Sequence, residues 1–213
     1  MEILNYILHI DTYLEHFLMT YQSWFYIILF CLIFIETGVV VMPFLPGDSL
    51  LFATGMLAAS FPDQVNLYLV LILLLIAAIL GDTTNYSIGK FLGLKLIRQK
   101  FLGKRIIKDQ DITKTESFFQ KYGPKTIVIA RFVPIVRTLA PFVAGISKMH
   151  YNTFIKYNIL GGFIWVFALT LAGYFLGNIT IIKENFEIMV FVIIIFSLLP
   201  ILFEWIKSKL NHN

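Results

Sequence analysis

Ile127-Val128-Ile129-Ala130-Arg131-Phe132-Val133-Pro134-Ile135-Val136-Arg137-Thr138-Leu139-Ala140-Pro141-Phe142-Val143-Ala144-Gly145-Ile146-Ser147 is the stretch that decides how this chain folds. It is apolar enough to enter a bilayer, yet it holds Arg131 and Arg137 together with Pro134 and Pro141. Proline lacks the N–H of a helical residue and crowds the carbonyl four positions back. A lipid-facing helix with this sequence would leave backbone groups unsatisfied, and broken backbone at membrane depth is tolerated only against protein or a water-filled cavity. Residues 127–147 therefore read as a re-entrant helical hairpin. Residues 43–60 share the character, with Pro43, Pro46, Gly47, Asp48 and Gly55 in an apolar setting, and read as a second one. Pro46, Gly47, Pro134 and Pro141 are the expected hairpin breakers.

The rest of the chain supplies the membrane around them. Of 213 residues, 58% are hydrophobic and 14% charged, against roughly 45–50% and about 25% in soluble domains. The apolar residues lie in uninterrupted blocks that a bilayer requires and a soluble core does not. Spanning helices are expected over 24–42, 65–89, 151–176 and 186–205. Ile3, Ile7, Ile10, Leu14, Phe17, Leu18 and Tyr21 recur at helical spacing with Glu2, Asp11 and Glu15 between them, so residues 1–22 read as an amphipathic interfacial helix. Trp24 and Trp205 fall at span ends, where an indole prefers to be. Trp165 falls mid-span, which favours a packing role over stacking on a ligand. The single cysteine, Cys31, rules out an internal disulfide and a multi-cysteine metal cluster. The N-terminus has no basic region of the kind that opens a cleaved signal peptide.

Charge sets the orientation. The first 89 residues contain no Lys or Arg, and ten of the seventeen fall between Lys90 and Lys125. The positive-inside rule makes the 90–125 loop cytosolic, and Lys207 and Lys209 place the 206–213 tail on the same side. With both broken segments returning to the side they left, both termini are cytosolic. The loop itself reads as a topology anchor touching anionic lipid heads, with an interfacial helix from about Thr113 to Tyr122, and not as a nucleic-acid surface. The expected fold is thus all-α: a single membrane domain over 1–213 with about four transmembrane helices, two oppositely facing re-entrant hairpins and an N-terminal amphipathic helix. Oppositely facing hairpins imply an inverted repeat, as in many transporters. Phe44-Leu45-Pro46 echoes Phe132-Val133-Pro134, and Thr54-Gly55 echoes Ala144-Gly145.

Five ionisable residues fall in membrane-embedded segments: Glu36, Asp48, Asp82, Arg131 and Arg137. Each costs roughly 2.5–3.5 kcal/mol at a helix centre, so such residues pair, line a wet cavity or mark a pathway. On the structural reading they pair and lock the hairpins together, and Asp82 with Asn85 one turn on serves as an interhelical hydrogen-bond site. On the functional reading Arg131 and Arg137 hold an anionic group, above all a phosphate, which a guanidinium meets with two donors. Glu36 and Asp48 then exchange protons, since burial raises a carboxyl pKa and a nearby arginine lowers it. Asp82 and Asn85 are supporting polar residues.

Two enzyme signatures are incomplete. Gly47-Asp48-Ser49-Leu50 resembles a serine-esterase block, but no later Asp-x-x-His completes a triad; His9, His16, His150 and His212 lie near the chain ends or in a short loop. Gly81-Asp82 resembles part of an intramembrane aspartyl protease motif, but Ile79 stands where that motif has glycine and no second Tyr-Asp exists. Without a nucleophile–base pair or a catalytic dyad the chain does not read as an enzyme. No catalytic residue, metal ligand set or cofactor is expected.

Glu36-Thr37-Gly38 and Pro43-Phe44-Leu45-Pro46-Gly47-Asp48-Ser49-Leu50 resemble the first signature of the bacterial DedA membrane proteins. Gly81-Asp82-Thr83-Thr84-Asn85-Tyr86 with Gly89 resembles the second, and Ala130 to Thr138 with Ala140 to Gly145 the third. Asn158, Gly161, Trp165, Gly173-Tyr174 and Gly177 continue the likeness, which covers nearly the whole chain. The resemblance implies a core shared with the eukaryotic lipid scramblases that carry the VTT domain, two oppositely facing re-entrant hairpins, and a place in the bacterial inner (plasma) membrane. It implies lipid movement across that membrane, of undecaprenyl phosphate in one branch and phosphatidylethanolamine in another, with a part for proton motive force. The family's important acids match Glu36 and Asp48, and its important arginines match Arg131 and Arg137.

The expected function is a lipid transporter or flippase returning undecaprenyl phosphate across the inner membrane with proton coupling. Its partners are a phosphate-headed lipid, membrane lipids and protons. Three alternatives stand beside it: a phosphatidylethanolamine or general phospholipid scramblase, a proton-driven exporter of small cations or drugs, and a non-transporting membrane scaffold. The sequence carries no signal of oligomeric state.

Overall fold

The computed structural model describes residues 10–39, 47–98, 100–101, 104–105 and 109–179. These are helical apart from connecting turns and one antiparallel pair, Lys100–Phe101 (β1) with Lys104–Arg105 (β2). The helices are α1 (Ile10–Gly38), α2 (Gly47–Ser60), α3 (Leu67–Arg98), α4 (Asp109–Tyr122), α5 (Thr126–Ala130), α6 (Pro134–Ile146) and α7 (Tyr151–Gly177). Residues 1–9 of the expected interfacial helix 1–22 and the expected segments 186–205 and 206–213 lie outside the described residues, as do Pro43 and Pro46.

Among the described residues three helices are long and apolar enough to cross a bilayer, over Leu18–Gly38, Leu67–Gly93 and Tyr151–Gly177. The 21 residues of the first rise about 30 Å, the thickness of a hydrocarbon core. α1 is continuous but kinked at Tyr21, whose φ of −122° and ψ of 30° are not helical. That kink falls where the interfacial helix was expected to give way to the first span. α3 shows how a lipid-facing helix divides its surface. Leu69, Ile72, Ile76 and Leu80 are exposed along one stripe, while Val70, Leu74, Ala77 and Ala78 are buried along the other. Large apolar side chains left open over a whole stripe suit lipid, not water.

The basic segment differs from the expected loop. α3 runs on to Arg98, because Lys90, Phe91, Leu92, Lys95, Leu96 and Ile97 contain no proline and include good helix formers. α4 begins at Asp109, four residues before the expected start. Its Phe118 and Phe119 pack against a core of Tyr86, Ile127, Ala130, Val136, Ala140, Ala144 and Phe154.

The described residues fall into two compact units, one within Met1–Ile28, Pro46–Ile72 and Phe167–Asn213, the other within Leu29–Leu45 and Leu73–Val166. Each contains a short helix lying on a long one through paired glycines. In the first, a Cβ on Gly55 of α2 would run into the Thr170 carbonyl of α7, and one on Gly173 into the Phe52 carbonyl. In the second, a Cβ on Gly145 of α6 would run into the Tyr86 carbonyl of α3, and one on Gly89 into the Phe142 carbonyl. Phe52-x-x-Gly55 and Phe142-x-x-Gly145 thus make the same crossing. Lipid gives helices no hydrophobic reason to associate, so close backbone approach at small residues has to do it.

The break inside 127–147 falls at residues 131–133. Arg131, Phe132 and Val133 close α5 with short-range bonds to the carbonyls of Val128, Ile129 and Ala130. Val133 is extended, at φ −122° and ψ 105°, as the residue before a proline should be, and Pro134 opens α6. Pro141 does not break the chain: it lies inside α6, so of the two prolines only Pro134 marks the interruption. Gly47 opens α2. At the other end of α6, Lys148 takes the left-handed conformation (φ 52°), and Met149 N–H donates to the Ala144 carbonyl at 3.0 Å. The Tyr86 hydroxyl caps this turn by donating to the Met149 carbonyl at 2.5 Å.

Candidate functional site

The second unit collects the buried charge. α1 brings Glu36 and Thr37 in its last turn, α3 brings Asp82 and Asn85, the break before α6 brings Arg131, and α6 itself brings Arg137 and Thr138. α7 presents Asn158, Gly161, Gly162 and Trp165 at the three- and four-residue spacing that shares one helix face. The glycines make room for an arginine: a Cβ on Gly161 would stand 3.2 Å from Arg131 Nε, and one on Gly162 3.5 Å from Nη2.

Arg131 is only 3% exposed. Its Nη2 donates to Asp82 Oδ2 and to Asn158 Oδ1, the latter at 2.7 Å. Asn158 is oriented in turn by donating from Nδ2 to the Ile79 carbonyl at 3.1 Å and to Thr83 Oγ1 at 3.4 Å. Arg131 Nε and Nη1 are buried with no hydrogen-bond acceptor among the described residues. Arg137 forms the second ion pair, its Nη2 lying 3.2 Å from Glu36 Oε1. Between the pairs stands Trp165, fully buried, with its ring 4.0 Å from the Arg137 guanidinium carbon and 5.6 Å from that of Arg131. A desolvated guanidinium over an indole gains about 2 kcal/mol, which helps two like charges share a buried site.

Asn85 ties the frame together. Its Nδ2 donates to the Thr37 carbonyl at 3.1 Å and to the Thr138 carbonyl at 2.9 Å, joining the end of α1 and the start of α6 to α3. Close approach completes the α1–α3 contact, since a Cβ on Gly81 would overlap the Thr37 side chain.

The structure thus brings together Arg131, Arg137, Glu36, Asp82 and Asn85. It gives Asp82 a larger part than a supporting one, as the direct counter-ion of Arg131. Asp48 belongs to the first unit. It is exposed in the first turn of α2, where a carboxylate complements the positive end of the helix dipole. Asn158 and Trp165 were not singled out as site residues from the sequence. The available signal was their seven-residue separation with two glycines between, a small-and-polar stripe on an otherwise apolar helix. Chemically, the site sets two guanidinium groups against two carboxyl groups, and among the described residues the Arg131 guanidinium keeps buried donors open.

A model of the VTT domain matches residues 45–175. The chain is 46% identical over 207 residues to the protein named DedA of Escherichia coli strain K12, covering 97% of this chain and 94% of that one. It is 43% identical over 171 residues to an uncharacterized membrane protein of Mycobacterium tuberculosis, covering 80% and 74%. It is 35% identical over 157 residues to the inner membrane protein YqjA of Escherichia coli, covering 72% and 68%. No solved structure matches. The chain belongs to the DedA family of VTT-domain membrane proteins. With its long apolar helices, it is an integral membrane protein.

Proposed function

We propose that this protein is a transporter of phosphate-headed lipids in the bacterial inner membrane, with undecaprenyl phosphate as its leading substrate and protons as its coupling ion. The observation that carries the reading is Arg131, a guanidinium 3% exposed whose Nε and Nη1 have no acceptor among the described residues in a chain built to sit in lipid. An oxyanion is the natural partner of such donors, and a lipid phosphate brings one to membrane depth while its tail stays in hydrocarbon. Arg137, 4.0 Å from the indole it shares with Arg131, would take the same head group from a second direction. In this reading segments 43–60 and 127–147 enter the bilayer from opposite sides, and the basic segment and both termini face the cytosol. No covalent chemistry is involved.

The test is leaflet exchange. Liposomes holding purified protein and a labelled phospho-polyprenol should exchange the label faster than empty ones, and Arg137→Ala should abolish the gain. Exchange equal to that of empty liposomes, or an undiminished Arg137→Ala protein, would end the reading. Competition by phosphatidylethanolamine in the same vesicles separates a carrier for one lipid from a general phospholipid scramblase.

A second reading rests on the pairing itself. Each guanidinium has a carboxylate within ion-pair distance, as a scaffold locked by buried charge would have. It requires that replacing a whole pair by neutral residues leave the protein's cellular role intact.

A further inference from the structure

We infer that Asp82 is a displaceable counter-ion: an anionic lipid head group takes Arg131 from it, and the carboxylate accepts a proton as it is displaced. The inference rests on the transport reading and deepens it by assigning the coupled proton to a residue on α3.

The geometry makes the exchange specific. A guanidinium offers two edges on which an oxyanion can accept two parallel bonds, and Nη2 belongs to one of them with Nε and to the other with Nη1. In Arg131 both acceptors among the described residues, Asp82 Oδ2 and Asn158 Oδ1, sit on Nη2, while Nε and Nη1 have none there. An incoming phosphate oxygen can begin at Nε or Nη1, but a two-bond grip requires Nη2. Asn158 is anchored by its own bonds to the Ile79 carbonyl and Thr83 Oγ1. Among the described residues, Asp82 is held only through Arg131, so Asp82 is the partner that yields.

Charge requires the proton. Before exchange the Arg131–Asp82 pair sums to zero, and a phosphate oxyanion entering alone would leave one uncompensated negative charge in a site where Asp82 is 5% exposed. Such a charge is strongly disfavoured. If Asp82 takes one proton from bulk solvent as a singly charged phosphate group arrives, the guanidinium faces one anion in both states and the site stays neutral. No bond other than O–H forms and nothing is oxidised. The other charged groups of the unit's core, Glu36 on α1 and Arg137 on α6, already pair with each other at 3.2 Å and contribute no net charge.

The test measures binding of phosphatidylglycerol to the full protein in nanodiscs between pH 5.5 and 8, because a phosphodiester keeps one negative charge across that range. One proton taken up per anion makes wild-type binding strengthen as pH falls, by at most about tenfold per pH unit. Asp82→Asn should bind more tightly than wild type at pH 8 and lose the pH dependence. Stability offers an independent readout. Asp82→Asn leaves Arg131 without a charged partner, so its thermal unfolding in lipid-free detergent should fall below wild type and recover when the lipid is added. Wild-type binding that does not vary with pH overturns the inference while leaving lipid binding intact. So does a pH dependence that survives in Asp82→Asn and vanishes in Glu36→Gln. Absence of binding at every pH overturns both the inference and the transport reading beneath it.

Discussion

The Arg137 guanidinium carbon lies 4.0 Å from the centre of the Trp165 ring, closer than Arg131 at 5.6 Å. The indole therefore belongs to the charged site as much as to the hydrophobic core, and its removal should show more than a packing defect. Trp165→Leu keeps an apolar side chain but loses the ring. We expect transport in liposomes to fall by about tenfold, from a cation–π loss of about 1–2 kcal/mol in all. Trp165→Tyr should retain more than Trp165→Leu. Equal losses in the two would reduce Trp165 to a core residue.

The Arg131–Asp82 pair predicts strong non-additivity. Arg131→Gln strands a buried carboxylate, and breaking one side of a buried pair costs roughly 3–5 kcal/mol. Unfolding in detergent should register that loss, and the double replacement Asp82→Asn with Arg131→Gln should recover most of it without recovering transport. A double variant as unstable as the sum of the singles would mean that the residues do not form one unit.

Asn85 carries two interhelical bonds from one amide, to the Thr37 and Thr138 carbonyls. Such bonds in membranes are worth about 0.6 to 2 kcal/mol each. Asn85→Ala should lower unfolding stability by about 1–3 kcal/mol, which a denaturant titration in mixed micelles would resolve. An unchanged midpoint would remove Asn85 from the frame.

The glycines separate into two kinds. Gly89→Ala and Gly145→Ala push a methyl into the backbone of the facing helix, and forced overpacking costs roughly 1–3 kcal/mol or more. Gly123 has open space around it but a φ of +59°. Gly123→Ala meets no neighbour and should cost only about 1 kcal/mol of backbone strain. Thermal stability of the purified variants should therefore rank Gly123→Ala well above the other two.

Much of this fold is written in the sequence, and the site only in part. Leu67–Gly93 and Tyr151–Gly177 announce themselves because a bilayer demands long apolar runs, and Pro134 announces the break because no helix donates from that nitrogen. Pro141 misleads, since the same chemistry is absorbed inside α6. Partners are harder to read. Asp82 and Arg131 are 49 residues apart, and nothing local to either says that they meet. Two acids in apolar surroundings, Glu36 and Asp48, look alike in the sequence. The structure separates them, with Glu36 buried beside Arg137 and Asp48 exposed at a helix start. Gly47-Asp48 following Pro46 carried that distinction, as an N-terminal helix signal. Trp165 reads from the sequence as a packing residue, and nothing local to it says that two guanidiniums lie against its ring.

The central claim is that the buried arginines meet a lipid phosphate, and a distance between phosphorus and guanidinium nitrogen tests it most directly. With Arg98→Lys and Arg105→Lys in place, Arg131 and Arg137 are the only arginines left to carry a nitrogen-15 guanidinium label. Solid-state dipolar recoupling in bilayers containing a phospho-polyprenol should then show phosphorus-dependent dephasing at hydrogen-bond range, lost on Arg131→Gln with Arg137→Gln. Labelled arginines that show no phosphorus contact in lipid-saturated bilayers would contradict the account.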